Sequence, residues 1–302
     1  IKKELKLHEL FSQDLCHRIE HSDLGVYMKK KRINGIIGFI VSVLVTVIFV
    51  IPLLWMVSSS LKSNGTIFKV PPDLIPRPAL WSNYPETVNY IPFFRYLKNT
   101  IIITALSTIG ALLSTPPVAY GFAKLKWPGR QFAFFVVLST MMLPYQVEVI
   151  PLYILYRKIG WLNTFLPLIV PNFFSGAMYI FLMRQFMLGI PNELSDAALV
   201  DGANHFQIMT KIMVPLCKPV MAAVALFSIM GNWTDFFAPL VFLTSESKYT
   251  LSLGLQMFSS RYQTQWNYLM AACTMFTIPP LILFFFTQSY FLSGISFTGV
   301  KE

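Results

Sequence analysis

One polar stretch between two long apolar runs indicates how this chain is organised: from Ile190 to Pro219 it reads IPNELSDAALVDGANHFQIMTKIMVPLCKP. Pro191 and Asn192 suit the start of a helix, and apolar or small residues follow them at helical spacing. Gly202 can take a left-handed cap conformation without a Cβ penalty, so the first helix is expected to end there. Apolar residues then recur at helical spacing until Pro215, which is expected to stop a second helix. This stretch, called the 190–219 loop below, is therefore predicted to be a helix-turn-helix.

The first of these two helices has the features of a docking element. Leu194 and the paired alanines Ala197 and Ala198 form one face, and the alanines keep it small enough for the backbone to approach a groove on another protein. The alternative is a helix that lies flat on the membrane, which requires a strongly basic polar face. Only Lys211 and Lys218 lie near, so the pattern favours docking.

The composition of the chain is that of a membrane protein. Of its 302 residues, 55% are hydrophobic and 13% are charged, and its mean hydropathy is +0.57, whereas roughly a quarter of the residues of a soluble protein are charged. The aromatic content of 15% excludes a disordered chain, and three cysteines exclude a disulfide scaffold. Six windows could each form a spanning helix of about 20 residues: 33–57, 99–123, 132–156, 159–183, 220–244 and 267–293. We therefore predict an all-α, polytopic membrane protein with six transmembrane helices.

The basic residues predict the orientation of these spans. Fifteen of the 24 Lys and Arg residues fall on the same side as the N-terminus, and such an excess marks the cytoplasmic side. Residues 1–32 are thus expected to be a cytoplasmic segment, 33–293 the membrane domain and 294–302 a cytoplasmic tail. The first apolar run exceeds the core of a secretory signal, about 7 to 15 residues, which favours an uncleaved helix. The net charge of +10 reflects topology and not nucleic-acid binding, because no basic stripe carries interleaved aromatic residues.

The third and fifth predicted spans each contain one acid, Glu148 and Asp235, among residues that interrupt helices. Such positions suit broken helices that face a wet path, and an ion-coupled carrier would use the two acids as its ion-binding groups. The alternative, that they cap helices or pair with basic residues near the interface, stays equally open. No metal site is expected, because His17 and His21 lack a third ligand.

The 190–219 loop resembles the conserved cytoplasmic loop of ATP-binding-cassette importer permeases. The residues at the family's spacing are Asp196-Ala197-Ala198, Gly202, Ile212 and Pro215-Leu216, and the fuller form of sugar permeases adds Asp201-Gly202-Ala203 and Phe206. The family has Glu where this chain has Asp196, so a salt bridge carried over from the family is expected to be weaker or water-mediated. Segments 141–151, 232–236 and 296–301 are also similar to the maltose-type, second-subunit branch.

The resemblance implies the permease subunit of a type I importer in the cytoplasmic membrane of a bacterium or archaeon. Its expected partners are a homologous permease, two ATPase subunits, an external solute-binding protein, membrane lipid and a sugar or oligosaccharide, including acidic ones. No catalytic residue or cofactor is expected on this chain, because no Gly is followed by Lys as a phosphate-binding loop requires. ATP and Mg²⁺ are expected in the partner subunits. The alternative function is an ion-coupled secondary carrier that uses Glu148 and Asp235.

Two sets of site residues follow from the resemblance and from the spans. The set expected to couple to the ATPase is Asp196, Ala197, Ala198, Asp201, Gly202, Ala203, Phe206, Ile212 and Pro215. The set expected to line the substrate path, with side chains that can stack on or hydrogen-bond sugar rings, is Tyr145, Gln146, Glu148, Asn232, Trp233 and Asp235.

Overall fold

The computed structural model describes residues 36–259 and 264–296. The expected segment 1–32, with His17 and His21, and residues 297–302 of the expected tail lie outside this range. Within the described ranges the secondary structure is helical and no strand forms beyond an isolated bridge between Ser259 and Thr264. The all-α prediction is therefore confirmed.

The helices follow one another along the chain, and the longest connection between them runs from residue 61 to residue 82. In order they are α1 (Ile36–Ser60), α2 (Asn83–Tyr90), α3 (Phe93–Ala123), α4 (Arg130–Ser139), α5 (Tyr145–Lys158), α6 (Leu166–Ile169), α7 (Ala177–Leu188), α8 (Glu193–Val200), α9 (His205–Ile208), α10 (Val214–Leu216), α11 (Lys218–Thr234), α12 (Phe237–Phe242), α13 (Leu251–Gly254) and α14 (Trp266–Ser296). The described residues up to Ser58 and those from Ser59 onward form two compact units. The helix α1 is therefore described by itself: its apolar side chains are exposed along its length, as suits a helix surrounded by lipid.

Four described helical segments are long and apolar enough to cross a membrane: Ile36–Ser60, Phe93–Ala123, Leu166–Leu188 and Trp266–Gln288. Two further segments are pairs of helices with a sharp bend. The pair Arg130–Met142 and Tyr145–Lys158 bends by 98°, and the pair His205–Leu216 and Lys218–Thr234 bends by 79°. By length and composition, the described chain therefore has four candidate spans, or up to six if each bent pair is one span.

Three of the predicted windows are not continuous helices. Window 159–183 starts with residues 159–165, which precede α6, and it breaks again at Ser175 and Gly176 before α7. Window 132–156 breaks at Leu143, whose backbone is extended because Pro144 follows it, and the residue before a proline avoids the helical conformation. Window 220–244 breaks at Asp235, which is also extended and precedes the short helix α12. Average hydropathy over a window cannot detect such breaks, because a single residue of altered backbone leaves the average unchanged.

The helix α3 is the central element of the larger unit. Its buried face consists largely of small and hydroxyl-bearing residues, which allow neighbouring helices to approach closely. Ser107 Oγ donates to the carbonyl oxygen of Leu168 at 3.0 Å, and Thr108 Oγ1 donates to Ser228 Oγ of α11 at 3.2 Å. Hydrogen bonds between helices thus connect α3 to α6 and to α11.

The close packing of Gly254 against α3 yields a testable prediction. A Cβ at position 254 would lie 2.4 Å from Tyr96 Cδ2, and the Tyr96 ring is fully buried, with its hydroxyl donating to Glu246 Oε1 at 3.0 Å. Because the ring cannot move aside, Gly254→Ala is expected to lower the free energy of unfolding by about 1 to 3 kcal/mol. Gly121→Ala is the matched control, because nothing lies within 4 Å of its Cβ position. Thermal unfolding of both purified variants would check this, and equal stability would contradict it.

Candidate functional site

The 190–219 loop forms the predicted helix-turn-helix. The helix α8 begins after Asn192, and Gly202 takes a backbone φ of +81° beyond its end. The amide of Gly202 donates to Leu199 O at 3.0 Å and the amide of Ala203 donates to Ala198 O at 2.9 Å, which is the pair of bonds of a Schellman cap. The sequence prediction for this turn is therefore confirmed at the level of individual hydrogen bonds.

The second helix of the loop starts on a capping box that the sequence analysis missed. Asn204 Oδ1 accepts from the amide of Gln207, and Gln207 Oε1 accepts from the amide of Asn204, both at 2.9 Å. The pattern of Asn followed three residues later by Gln was a usable signal.

Pro215 does not stop this helix, contrary to the prediction. It lies in α10, and a π-helical turn from Met209 to Met213 precedes it. Proline has no N–H to donate to the carbonyl four residues before it, and its ring clashes with that carbonyl in a regular α-helix. The wider π-helical turn before Pro215 relieves this clash. The second helix runs one residue past Pro215 and ends at Leu216, before a turn at Cys217.

Only part of the predicted docking face of α8 is exposed. Ala198 is 9% exposed and packs in a cluster with Met183 and Met187 of α7 and Ile208 of α9. The sequence placed Leu194, Ala197 and Ala198 on one docking face, and this grouping is wrong for Ala198. Its small side chain lets α8 approach α7 and not a partner. Ala203 and Ile212 also pack against this cluster.

The opposite face of α8 is open. Leu194, Asp196, Ala197 and Leu199 are exposed there, and Val200 at its end is 88% exposed. Phe206 of α9 is exposed as well, whereas Asp201 and Gly202 form the turn between the two helices. The loop therefore presents an apolar outer face, with acidic side chains beside it, on a tightly packed base. We call Leu194, Ala197 and Val200 the outer face of α8.

The candidate substrate-path residues separate into two kinds. Trp233 is 5% exposed, its ring stacks on Phe276 and its Nε1 donates to Phe276 O at 3.1 Å. Asp235 Oδ1 accepts from the amide of Ala238 at 3.2 Å, and so caps α12. These two residues hold helices in place, which is the alternative that the sequence left open for the acid. The ring of Trp233 is not available to stack on a sugar in this conformation.

The other path residues lie near an open surface. Tyr145 and Gln146 are exposed at the start of α5, and Glu148 is half-buried in its first turn. The Tyr145 ring packs edge-to-face on Phe237 at the start of α12, with ring centroids 6.1 Å apart. Asn232 Nδ2 donates to Ser228 O within its own helix at 2.7 Å. Sequence reasoning missed Phe237, although it follows the motif residues 232–236 directly.

Comparison with known proteins identifies the family of this fold and loop. Residues 107–296 match the model of the binding-protein-dependent transport system inner membrane component. The arabinooligosaccharides transport system permease protein AraQ of Halalkalibacterium halodurans is 35% identical over 69% of this chain and 75% of the relative. The sn-glycerol-3-phosphate transport system permease protein UgpE of Brucella suis is 28% identical over 89% of this chain and 98% of the relative.

A solved structure agrees with these sequence relatives. A bacterial ABC transporter involved in the import of the acidic polysaccharide alginate superposes with a TM-score of 0.75 and 25% identity, over 86% of this chain and 97% of that one. The matched family region contains the 190–219 loop and both bent segments, the second of which overlaps the loop. The chain therefore belongs to the binding-protein-dependent transport system inner membrane component family, whose members are transport subunits and not catalytic ones.

Proposed function

We propose that this chain is the permease subunit of an ATP-driven importer of sugars or oligosaccharides, and that the 190–219 loop docks on an ATPase subunit. The observation that carries the proposal is the outer face of α8. The apolar side chains of this face are exposed, whereas the opposite side of the loop packs into the protein. The packed side holds the exposed face in place, which suits binding to a partner. The proposed contact region is the outer face of α8 together with Asp196, Asp201, Gly202 and Phe206.

Burial of this outer face would supply binding energy. Each Å² of apolar surface removed from water contributes about 25 cal/mol, and Val200 is almost entirely accessible. An amphipathic helix that lays its apolar side into a groove is a common mode of recognition between proteins. Ala197 lies one turn before Val200, and its small side chain permits the close approach that a groove requires.

The choice of sugars as the cargo rests on the relatives and on the composition outside. AraQ is named for arabinooligosaccharides, and the matched structure belongs to an importer of an acidic polysaccharide. The segment between the first two predicted spans carries five basic residues, Lys62, Lys69, Arg77, Arg95 and Lys98, against the acids Asp73 and Glu86. This excess is compatible with acidic oligosaccharides.

The proposal includes the remaining parts of the assembly. The partners would be a homologous permease, two ATPase subunits that bind ATP and Mg²⁺, and an external solute-binding protein. Both termini would lie in the cytoplasm of a bacterial or archaeal cell, with the 190–219 loop on the same side. The excess of basic residues on that side supports this orientation.

Reconstituted vesicles would test the proposal against an ion-coupled carrier. We expect uptake of a radiolabelled oligosaccharide to require ATP together with the ATPase subunits and the binding protein, and to continue when ionophores collapse the proton and sodium gradients. Uptake that follows an ion gradient without ATP would contradict the proposal. It would then favour a carrier that uses Glu148 and Asp235, a role that the helix-capping contact of Asp235 does not favour.

A further inference from the structure

We infer that Tyr120 and Lys124, one helical turn apart at the end of α3, are positioning residues that carry movement of the 190–219 loop into the membrane helices. The inference rests on the proposed docking of that loop on an ATPase. The docking surface is where the ATPase would displace the loop, and the contacts of Tyr120 and Lys124 are where that displacement would reach α3.

The side chain of Lys124 donates hydrogen bonds to residues that lead into the first helix of the loop. Its Nζ donates to the backbone oxygen of Ile190 at 2.6 Å and to Asn192 Oδ1 at 2.9 Å. Ile190 and Asn192 immediately precede α8, and Lys124 directly follows the last residue of α3. One side chain thus connects two segments that are 66 residues apart in the sequence.

The charges around Lys124 indicate that it holds the loop to α3 and does not stabilise α8 as a helix cap. The start of a helix carries partial positive charge, so an ammonium group there gains nothing from the helix dipole. Burial lowers the pKa of Lys124, whereas nearby Glu193 and Asp196 act in the opposite direction and favour the charged form. The two acids in the early turns of α8 therefore help to retain a cation that the helix end alone would repel.

Tyr120 contacts the second helix of the loop. Its side chain is 4% exposed, and its hydroxyl lies 3.2 Å from Nδ1 of His205, the first residue of α9. Residues four apart on a helix lie on the same face, so Tyr120 and Lys124 meet the loop side by side. Between them they contact the residues that lead into α8 and the first residue of α9.

These non-covalent contacts with α3 are important because the covalent connection from the loop to α11 is not straight. It passes through the π-helical turn at Met209–Met213 and then bends by 79°. Such a connection changes its angle under load more readily than a continuous helix. The helix α3, in contrast, is continuous from Phe93 to Ala123 and packs against α7 and α11. Because Pro116 and Pro117 interrupt the hydrogen bonds of α3 just before Tyr120, a pull at its end would pass mainly to α7 and α11, whose Met183, Met187 and Val220 share a packed cluster with its last turn.

Single variants in the reconstituted importer test the inference. Lys124→Met removes both donated hydrogen bonds, and Tyr120→Phe removes only the hydroxyl. The matched controls are Lys126→Met, which changes an exposed lysine two residues away, and Tyr153→Phe, which removes a hydroxyl from an exposed tyrosine of α5. For each complex the ATPase content, the ATP hydrolysis rate and the oligosaccharide uptake are measured.

We expect Lys124→Met to retain the ATPase subunits and ATP hydrolysis but to lower uptake per ATP about 10-fold, and Tyr120→Phe to lower it about 5-fold. Lys124→Arg, which keeps the charge and the donors, should recover most of the uptake, and both controls should match the unaltered chain. Unchanged uptake per ATP in Lys124→Met would overturn the inference, as would loss of the ATPase subunits, since the residue would then serve assembly alone. Failure of the docking proposal is recognised separately, by ATPase retention in a variant of the outer face of α8.

Discussion

Replacement of Val200 by Asp is expected to release the ATPase subunits from the complex and to lower ATP-driven uptake about 100-fold. Val200 is 88% exposed at the end of α8, so the substitution does not disturb the packing of the chain itself. In a docked complex the new carboxylate would lose its water in an apolar groove, where an unpaired charge is costly. Co-purification of the ATPase subunits with the permease, and uptake by vesicles, measure the effect.

Lys126→Asp provides the control for this variant. Lys126 is exposed in the segment that follows α3, so the substitution introduces the same carboxylate on another exposed segment without touching the outer face of α8. It should leave both ATPase content and uptake within about 2-fold of the unaltered complex, as surface substitutions usually change stability by less than about 0.5 kcal/mol. Full retention of the ATPase by Val200→Asp would show that α8 does not dock as proposed.

Ala198→Arg is expected to fail in a different way, through loss of the folded loop. Ala198 packs against Met183 and Met187, and there is no room for a long charged side chain among them. Overpacking together with a buried unpaired charge is expected to cost more than about 3 kcal/mol. Limited proteolysis of the purified chain should show rapid cleavage within residues 190–219.

The neighbouring residue distinguishes folding from docking. Ala197→Arg introduces the same side chain on the exposed side of the same helix, so the loop should resist the protease as the unaltered chain does. The complex should nevertheless lose its ATPase subunits. Equal protease resistance of Ala198→Arg and Ala197→Arg would contradict the inward orientation of Ala198.

The local structure of the 190–219 loop was predictable from sequence, but its orientation was not. Gly202 acts on the backbone beside it, so its signal is contained in a few consecutive residues. The Asn192 side chain instead accepts a hydrogen bond from Lys124, a distant residue. Whether Ala197 or Ala198 faces inward depends on Met183 and Met187 of a preceding helix. Two adjacent alanines offer no difference in size or polarity from which to decide.

The membrane segments show the same limit. Hydropathy located the apolar windows, but the break at Asp235 depends on a backbone angle and on a side chain that caps the next helix. Trp233 was assigned to the substrate path from its residue type, whereas its burial is set by Phe276 on α14, more than forty residues later. Tyr145 and Gln146 stay predicted path residues, and their exposure is consistent with that role.

Cross-linking from position 200 tests the central claim most directly. The three native cysteines would be changed to alanine and Val200→Cys introduced, and the assembled importer in native membranes would be treated with a short bifunctional thiol reagent. We predict that the permease becomes linked to an ATPase subunit that carries a cysteine in its docking groove. Absence of this product, together with labelling of position 200 by a membrane-impermeant reagent added from outside the cell, would contradict the account.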